Sequence, residues 1–245
     1  MAGHSKWKQI KHYKAATDKK RAAHFTKLIR EITMAAKLGG GDPAGNPRLR
    51  TAIDTAKAAS MPKENIERAV KKGTGDLEGV DYQEVMYEGY GPGGVAILIF
   101  SLTDNPTRTV ADVRHKLSRG GGNLGAANSV AWMFDRKGLL SIDSTQYPED
   151  DALEAALDAG AEDFKAEDER YEITTDPGSM HTVRSAMEAK GYEIIDAEIA
   201  SIPKNLVSVS GKTAESLVRL LEELEELDDV QKVAANCDVE LDETG

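Results

Sequence analysis

The sequence predicts an α+β protein: an N-terminal helical domain of three helices, followed by two ferredoxin-like α/β domains, one inserted in the other. Three observations predict it. Apolar residues recur at helical spacing between Phe25 and Val70 and change to strand-like runs from Tyr82 onward. Charge divides near the same place: residues 1–75 carry seventeen Lys/Arg against six Asp/Glu, a net of +11, whereas residues 76–245 carry fourteen against thirty-six, a net of −22. Finally, residues 138–200 spell β-α-β-β-α-β, the order of a ferredoxin-like unit, and a helix and strand remain beyond it.

The first helix is predicted from about Asp18 to Leu38, because Phe25, Leu28, Ile29, Ile32, Ala35 and Ala36 form one apolar stripe. Lys27, Arg30 and Lys37 fall opposite that stripe, facing solvent or a partner. Gly39-Gly40-Gly41 stops the helix. Asn46-Pro47 then offers a cap and a first-turn proline to a second helix, buried through Leu49, Ala52, Ile53 and Ala56. After Pro62 a third helix uses Ile66, Ala69 and Val70 and ends at Lys71-Lys72-Gly73, with cations in the last turn and a glycine after them.

Strands are then expected at 84–90 and 94–102, a helix at 106–118 and a strand at 128–135. The ferredoxin-like set follows: strand 138–143, helix 149–159, strands 162–166 and 170–175, helix 178–190 and strand 192–200. A last helix, 212–227, and strand, 229–235, complete the interrupted lobe. The predicted domains are therefore 1–78, 79–136 plus 204–245, and the insert 137–203.

Several functions are disfavoured by composition. A single cysteine, Cys237, excludes an internal disulfide and a multi-cysteine metal cage. The five histidines show no metal-ligand spacing, so no metal and no cofactor is expected. Val95–Phe100 is the longest apolar run, too short for a bilayer, and no signal-peptide core precedes the basic start; a cytoplasmic protein is expected. The acidic half has carboxylates on helix faces but no set that singles out a catalyst, so the chain reads as a non-enzyme. Gly89, Gly91 and Gly94 match a dinucleotide fingerprint in letters only, since the stretch holds Pro92 and enters a strand, the context of a hairpin turn. Gly211-Lys212-Thr213 lacks the first P-loop glycine, because Leu206 stands there; Ser210 or Gly211 is read as opening the last helix.

What stands out is the basic end. Lys6, Lys8, Lys11, Lys14, Lys19, Lys20, Arg21 and Lys27 are interleaved with Trp7, Tyr13 and Phe25, and Arg30, Arg48 and Arg50 extend the charge over the helical domain. Cations pair with phosphates and flat rings stack on bases, so Lys6, Trp7, Lys8, Lys11, Lys14, Lys19, Lys20, Arg21, Lys27, Arg30, Arg48 and Arg50 are the candidate nucleic-acid contacts. No base-reading helix stands out, and the α/β lobes are too acidic for an RNA-binding sheet platform. A second contact surface is considered around Gly120–Gly125, with Arg108, Arg114 and Lys116.

The residues resemble a known family. Gly3-His4-Ser5-Lys6-Trp7, Phe25-Thr26-Lys27, Asn46-Pro47-Arg48-Leu49-Arg50, Met61-Pro62-Lys63, Tyr87 to Gly94, Thr109 to His115, and Ser129-Val130-Ala131-Trp132-Met133-Phe134 are similar to the YebC/PmpR family over nearly the whole chain. Two departures are Asn128, where glycine is common, and Ala22-Ala23-His24. The resemblance implies a non-enzymatic protein of three domains. It also implies two modes of action: promoter binding as a transcriptional regulator, or action on translation at the ribosome. The expected partner is thus promoter DNA or ribosomal RNA, with RNA favoured because shape and stacking need no base-reading helix. A small-molecule-sensing module is the rival from another class, by analogy with other ferredoxin-like lobes. Oligomeric state is not legible in the sequence.

Overall fold

The computed structural model describes residues 18–167 and 169–240, with side chains from residue 22 onward. Two compact units are present: one from the chain up to Trp132 together with Asn205 onward, the other Met133–Lys204.

The first unit begins with three helices, α1 (Asp18–Gly39), α2 (Pro47–Ala58) and α3 (Lys63–Thr74). Their apolar stripes close one core around Ile32, Leu49, Ala56, Ile66 and Ala69. Asn46 joins α1 to α2: its amide nitrogen donates to the Ala35 and Gly40 carbonyls at 2.8 and 2.9 Å, and its oxygen accepts from Leu49 N at 3.1 Å. One buried side chain thereby satisfies the end of one helix and the start of the next. Gly73 lets α3 lie against α1, since a Cβ there would fall 2.3 Å from the Thr33 carbonyl oxygen.

An α/β layer continues the unit: β1 (Gln83–Tyr90), β2 (Ala96–Thr103), α4 (Pro106–Arg119) and β3 (Asn123–Leu124), then, after the second unit, β8 (Val207–Ser210), α7 (Gly211–Glu225), β9 (Val230–Ala235) and β10 (Cys237–Glu240). Its four-stranded sheet has the order β3-β1-β2-β9, all antiparallel, so the segment after the insertion supplies an edge strand to a sheet begun before it. α4 and α7 cover one face through Val113, Leu117, Leu217, Leu220, Leu221 and Leu224. β8 and β10 form a separate parallel pair.

The second unit holds β4 (Phe134–Asp143), α5 (Glu149–Asp158), β5 (Asp163–Glu167), β6 (Arg170–Thr175), α6 (Met180–Ala189) and β7 (Asp196–Pro203). Its sheet order, β5-β6-β4-β7, is that of a ferredoxin-like fold. The first sheet has the same plan once β2 is counted as the first strand, β3 as the second, β1 as the third and β9 as the fourth. It is a ferredoxin-like sheet in which the third strand has moved to the front of the sequence. The architecture is accordingly α+β, a helical part followed by two ferredoxin-like α/β parts.

One expected strand, 128–135, is absent. Asn128 lies at φ 65, a 3-10 turn occupies Ala131–Met133, and the ladder begins at Phe134, so β4 runs longer than the expected 138–143 and the unit boundary falls after Trp132. The cause is Glu88, whose buried carboxylate accepts the backbone N–H groups of Asn128, Val130 and Ala131 at 2.6, 2.7 and 2.8 Å. Donors committed to a carboxylate are withdrawn from strand pairing.

Candidate nucleic-acid interface

Of the candidate contacts, Lys6, Trp7, Lys8, Lys11 and Lys14 lie outside the described residues, and Lys19, Lys20 and Arg21 are described only as backbone in the first turn of α1. Lys27, Arg30, Arg48 and Arg50 can be placed in full.

The face of α1 carrying Lys27, Arg30 and Lys37 is turned onto the chain's own α/β layer. Lys27 Nζ donates to the Glu225 carbonyl, and Lys37 Nζ pairs with Asp81. Arg30 donates to Asp229 Oδ1 at 2.6 Å and to the Leu102 carbonyl at 3.2 Å, with its guanidinium 5.4 Å from the Tyr82 ring centre. At 12% side-chain exposure Arg30 is a half-buried strut, not a free cation. Arg48 is also engaged: its guanidinium grips Glu31 through two bonds of 2.7 and 3.0 Å and reaches Glu84 at 2.7 Å, which links α1, α2 and β1. The bond to Glu31 raises its pKa further. Helical periodicity locates a basic face but does not say whether the surface opposite is solvent or an acidic neighbour.

Asp229 is the centre of this arrangement. It is 8% exposed and accepts from Arg30, from Arg108 at 2.8 Å and from Thr109 Oγ1 at 2.7 Å. Burial alone would raise its pKa, but the bonds from Thr109, Arg108 and Arg30 outweigh it and hold the carboxyl below the usual range. Thr103 and Asn105 complete the network: Thr103 Oγ1 lies 2.7 Å from Thr109 Oγ1 and accepts from Asn105 N at 2.9 Å, and Asn105 caps α4 by accepting from Arg108 N at 3.0 Å. Beside it opens a cleft of about 470 Å³, whose lining includes Asp104, Asp112, Glu226 and Asp228 with Arg108. Charged walls of this kind differ from the apolar lining of an organic-ligand pocket.

The basic residues left facing outward lie elsewhere on the helical part. Arg68, Lys71 and Lys72 on α3 are exposed and make no ion pair among the described residues, and half-buried Arg50 on α2 makes none either. Lys57 and Lys63 are exposed too, with only loose pairs of 3.6 and 3.5 Å to neighbours on their own helices. The cationic surface thus runs over α2 and α3.

The sequence-only motifs resolve as turns and caps. Gly91 N donates to the Val95 carbonyl at 2.8 Å across the β1–β2 turn, where Gly93 and Gly94 both have φ 75. Gly211, at φ 54, opens α7. Cys237 is buried in the apolar core, and burial pushes its thiol up to about 11. Among the described residues no cluster of three or more His, Cys, Asp or Glu could hold a metal, and no helix is long and apolar enough to cross a membrane.

The fold and this surface define a class: an α+β protein with a basic helical part joined by buried ion pairs to an α/β layer that carries an inserted ferredoxin-like unit. Family models described as the TACO1/YebC protein N-terminal domain and the TACO1/YebC second and third domain match residues 5–76 and 82–237. The chain belongs to the TACO1/YebC family. It is 64% identical over 242 residues to a "Probable transcriptional regulatory protein" of Gemmatimonas aurantiaca, covering 99% of this chain and 98% of that one. A protein of the same description from Trichlorobacter lovleyi is 57% identical over 243 residues, covering 99% and 98%. A crystal structure of a conserved hypothetical protein from Aquifex aeolicus is similar with a TM-score of 0.86 and 47% identity, covering 94% of this chain and 96% of that one.

Proposed function

We propose that the protein is a non-enzymatic, nucleic-acid-binding regulator of gene expression that acts on translation, bringing its basic end to ribosomal RNA. The observation that carries this reading is the partition of charge. A net of +11 in residues 1–75 faces a net of −22 in the remainder, and Arg68, Lys71 and Lys72 of α3 are exposed and, with half-buried Arg50 of α2, make no ion pair among the described residues. Phosphate contacts supply affinity without base reading, which suits structured RNA. The acidic remainder would be repelled by the same RNA and so favour entry of the basic end first. Arg30 and Arg48 enter the proposal as residues that hold the helical part in place, with Lys6, Trp7, Lys8, Lys11, Lys14, Lys19, Lys20, Arg21, Arg50 and the α3 cations as the contacts.

A second reading, promoter DNA binding, is favoured by the names of the relatives, each a "Probable transcriptional regulatory protein". The test is sedimentation of lysates at near-physiological salt. Wild type should travel with ribosomal particles, and Lys19→Glu/Lys20→Glu/Arg21→Glu should stay at the top. If wild type stays at the top and instead binds one duplex at least about a thousandfold better than random DNA, the promoter reading replaces the ribosomal one.

A further inference from the structure

We infer that Trp132 is a second nucleic-acid contact, a fixed stacking platform for one unpaired base, at the end of the α/β layer and separate from the basic helical part. The inference rests on the nucleic-acid reading above and adds a site to it.

Trp132 is 64% exposed, which is unusual for the largest apolar side chain. It is not loose. Its indole Nε1 donates to the Ser129 carbonyl at 3.1 Å, and the Tyr90 hydroxyl donates to that same oxygen at 3.2 Å. The loop that carries both groups is fixed by Glu88, which receives Asn128, Val130 and Ala131. The indole N–H is already used, so the ring offers a partner its flat face. A ring held in one orientation loses little entropy when something stacks on it. None of the ring pairs among the described residues includes it.

The surroundings favour a base over an apolar protein surface. Residues 106–132 hold Arg108, Arg114, Lys116 and Arg119 against a single acid, Asp112; Arg108 is bound to Asp104 and Asp229 and Lys116 to Glu223, which leaves Arg114 and Arg119 as the cations without an ion pair among the described residues. Arg114 and Arg119 are exposed near the end of α4. That end leads directly into Gly120–Gly122, and Gly122 fits under Tyr90 so closely that a Cβ would fall 2.1 Å from the Tyr90 carbonyl oxygen. Tyr90 therefore connects the cationic helix end to the Ser129 carbonyl that holds the indole. Gly93, Gly94 and Gly121 are exposed, and Gly121 sits against Pro92 of the β1–β2 turn, so a sugar-phosphate chain can approach the backbone there without meeting side chains. Stacking on an aromatic face with cations beside it is the chemistry of single-strand contacts.

Two tryptophans, Trp7 and Trp132, make the test direct. The full chain is labelled with 5-fluorotryptophan, the two fluorine resonances are assigned with Trp132→Phe, and oligo(U), oligo(dT) or a proline-rich peptide is titrated in. The inference expects a saturable shift of the Trp132 resonance with oligo(U), and for Trp132→Ala an affinity loss of about five- to 150-fold, the range for one stacked base. An equal response to oligo(dT) supports a base platform that does not distinguish sugar. A shift of the Trp7 resonance alone overturns the inference and leaves the basic-end reading standing. No response of either resonance overturns both. A response of Trp132 to the peptide and to neither oligonucleotide makes the site a peptide site and likewise overturns it. The resonance is read in the unaltered chain, so a folding defect in Trp132→Ala cannot mask the answer.

Discussion

At the scale of single residues, two buried carboxylates do most of the organising. Glu88 pins the 128–131 loop, and Asp229 receives cations from α1 and α4. In both, burial pushes the pKa up and hydrogen bonds pull it further down, with a net lowering. A carboxylate whose folded pKa is depressed contributes stability fully above its unfolded value, near 4, and loses it as pH falls through the folded value. Asp229→Asn should cost about 3 kcal/mol at pH 7, the low end for a broken buried pair, because half-buried Arg30 loses its counter-charge but keeps the Leu102 and Asp228 carbonyls. The variant should also lose less stability than wild type between pH 5 and pH 3. Urea unfolding at the two pH values measures both; equal stability at pH 7 would mean that the Arg30 pair contributes nothing. Neither role was legible in the sequence. Glu88 sits in a glycine-rich turn motif and Asp229 follows a run of solvated acids, and what distinguishes them is burial, which depends on residues 40 to 199 positions away.

Among the elements, the helices and their caps were readable because their signals are local. Asn46-Pro47 and Asn105-Pro106 do cap α2 and α4, and the apolar stripe of α1 is its buried face. Residues 128–135 read as a strand because Val130, Trp132 and Phe134 alternate as in one, while Glu88, the acceptor that takes the Asn128, Val130 and Ala131 N–H groups, lies far back in the chain. The two-stranded β8–β10 pair has no sequence signal for a related reason: four-residue strands carry too few alternations to register. Helix contact gives the prediction at this scale. Gly73→Ala would improve an isolated helix by about 1 kcal/mol, yet here the new Cβ meets the Thr33 carbonyl and Ala36 Cβ, 2.3 and 2.7 Å away. Overpacking should win, with a net loss of about 1–3 kcal/mol and a thermal midpoint several degrees lower. A midpoint equal to or above wild type would show that α1 and α3 can move apart at no cost.

For the whole molecule, the charge asymmetry was visible in the sequence, but its use was only half visible. Part of the positive charge of α1 is spent on attaching the helical part to an acidic layer, and the remainder on α2 and α3 faces outward. The insertion behaves as a self-closed unit, because its first and last paired residues, Phe134 and Pro203, are direct partners across β4 and β7. Direct antiparallel partners have Cα atoms about 5 Å apart, so the host chain leaves and returns at nearly one point. Replacing residues 134–203 by a short linker should therefore leave the first unit folded. Its two-dimensional amide spectrum should remain dispersed, and collapse of that spectrum would show that the host depends on the insert for more than closure.

That adjacency also has a consequence for the order of events during synthesis. β2, with the almost wholly buried sequence AILIFSLT, needs β9 on its open edge, and β9 is made about 130 residues later. Closing so long a loop as flexible chain would cost about 2–3 kcal/mol more than closing one of a few residues. An insert that folds as it emerges draws the two ends together and removes most of that penalty before β9 arrives. Until then β2 remains a long, apolar, unpaired edge of the kind that recruits strands from other molecules. Chains released before residue 230 should be the aggregating species of this protein, and a stalled ribosome its most hazardous place.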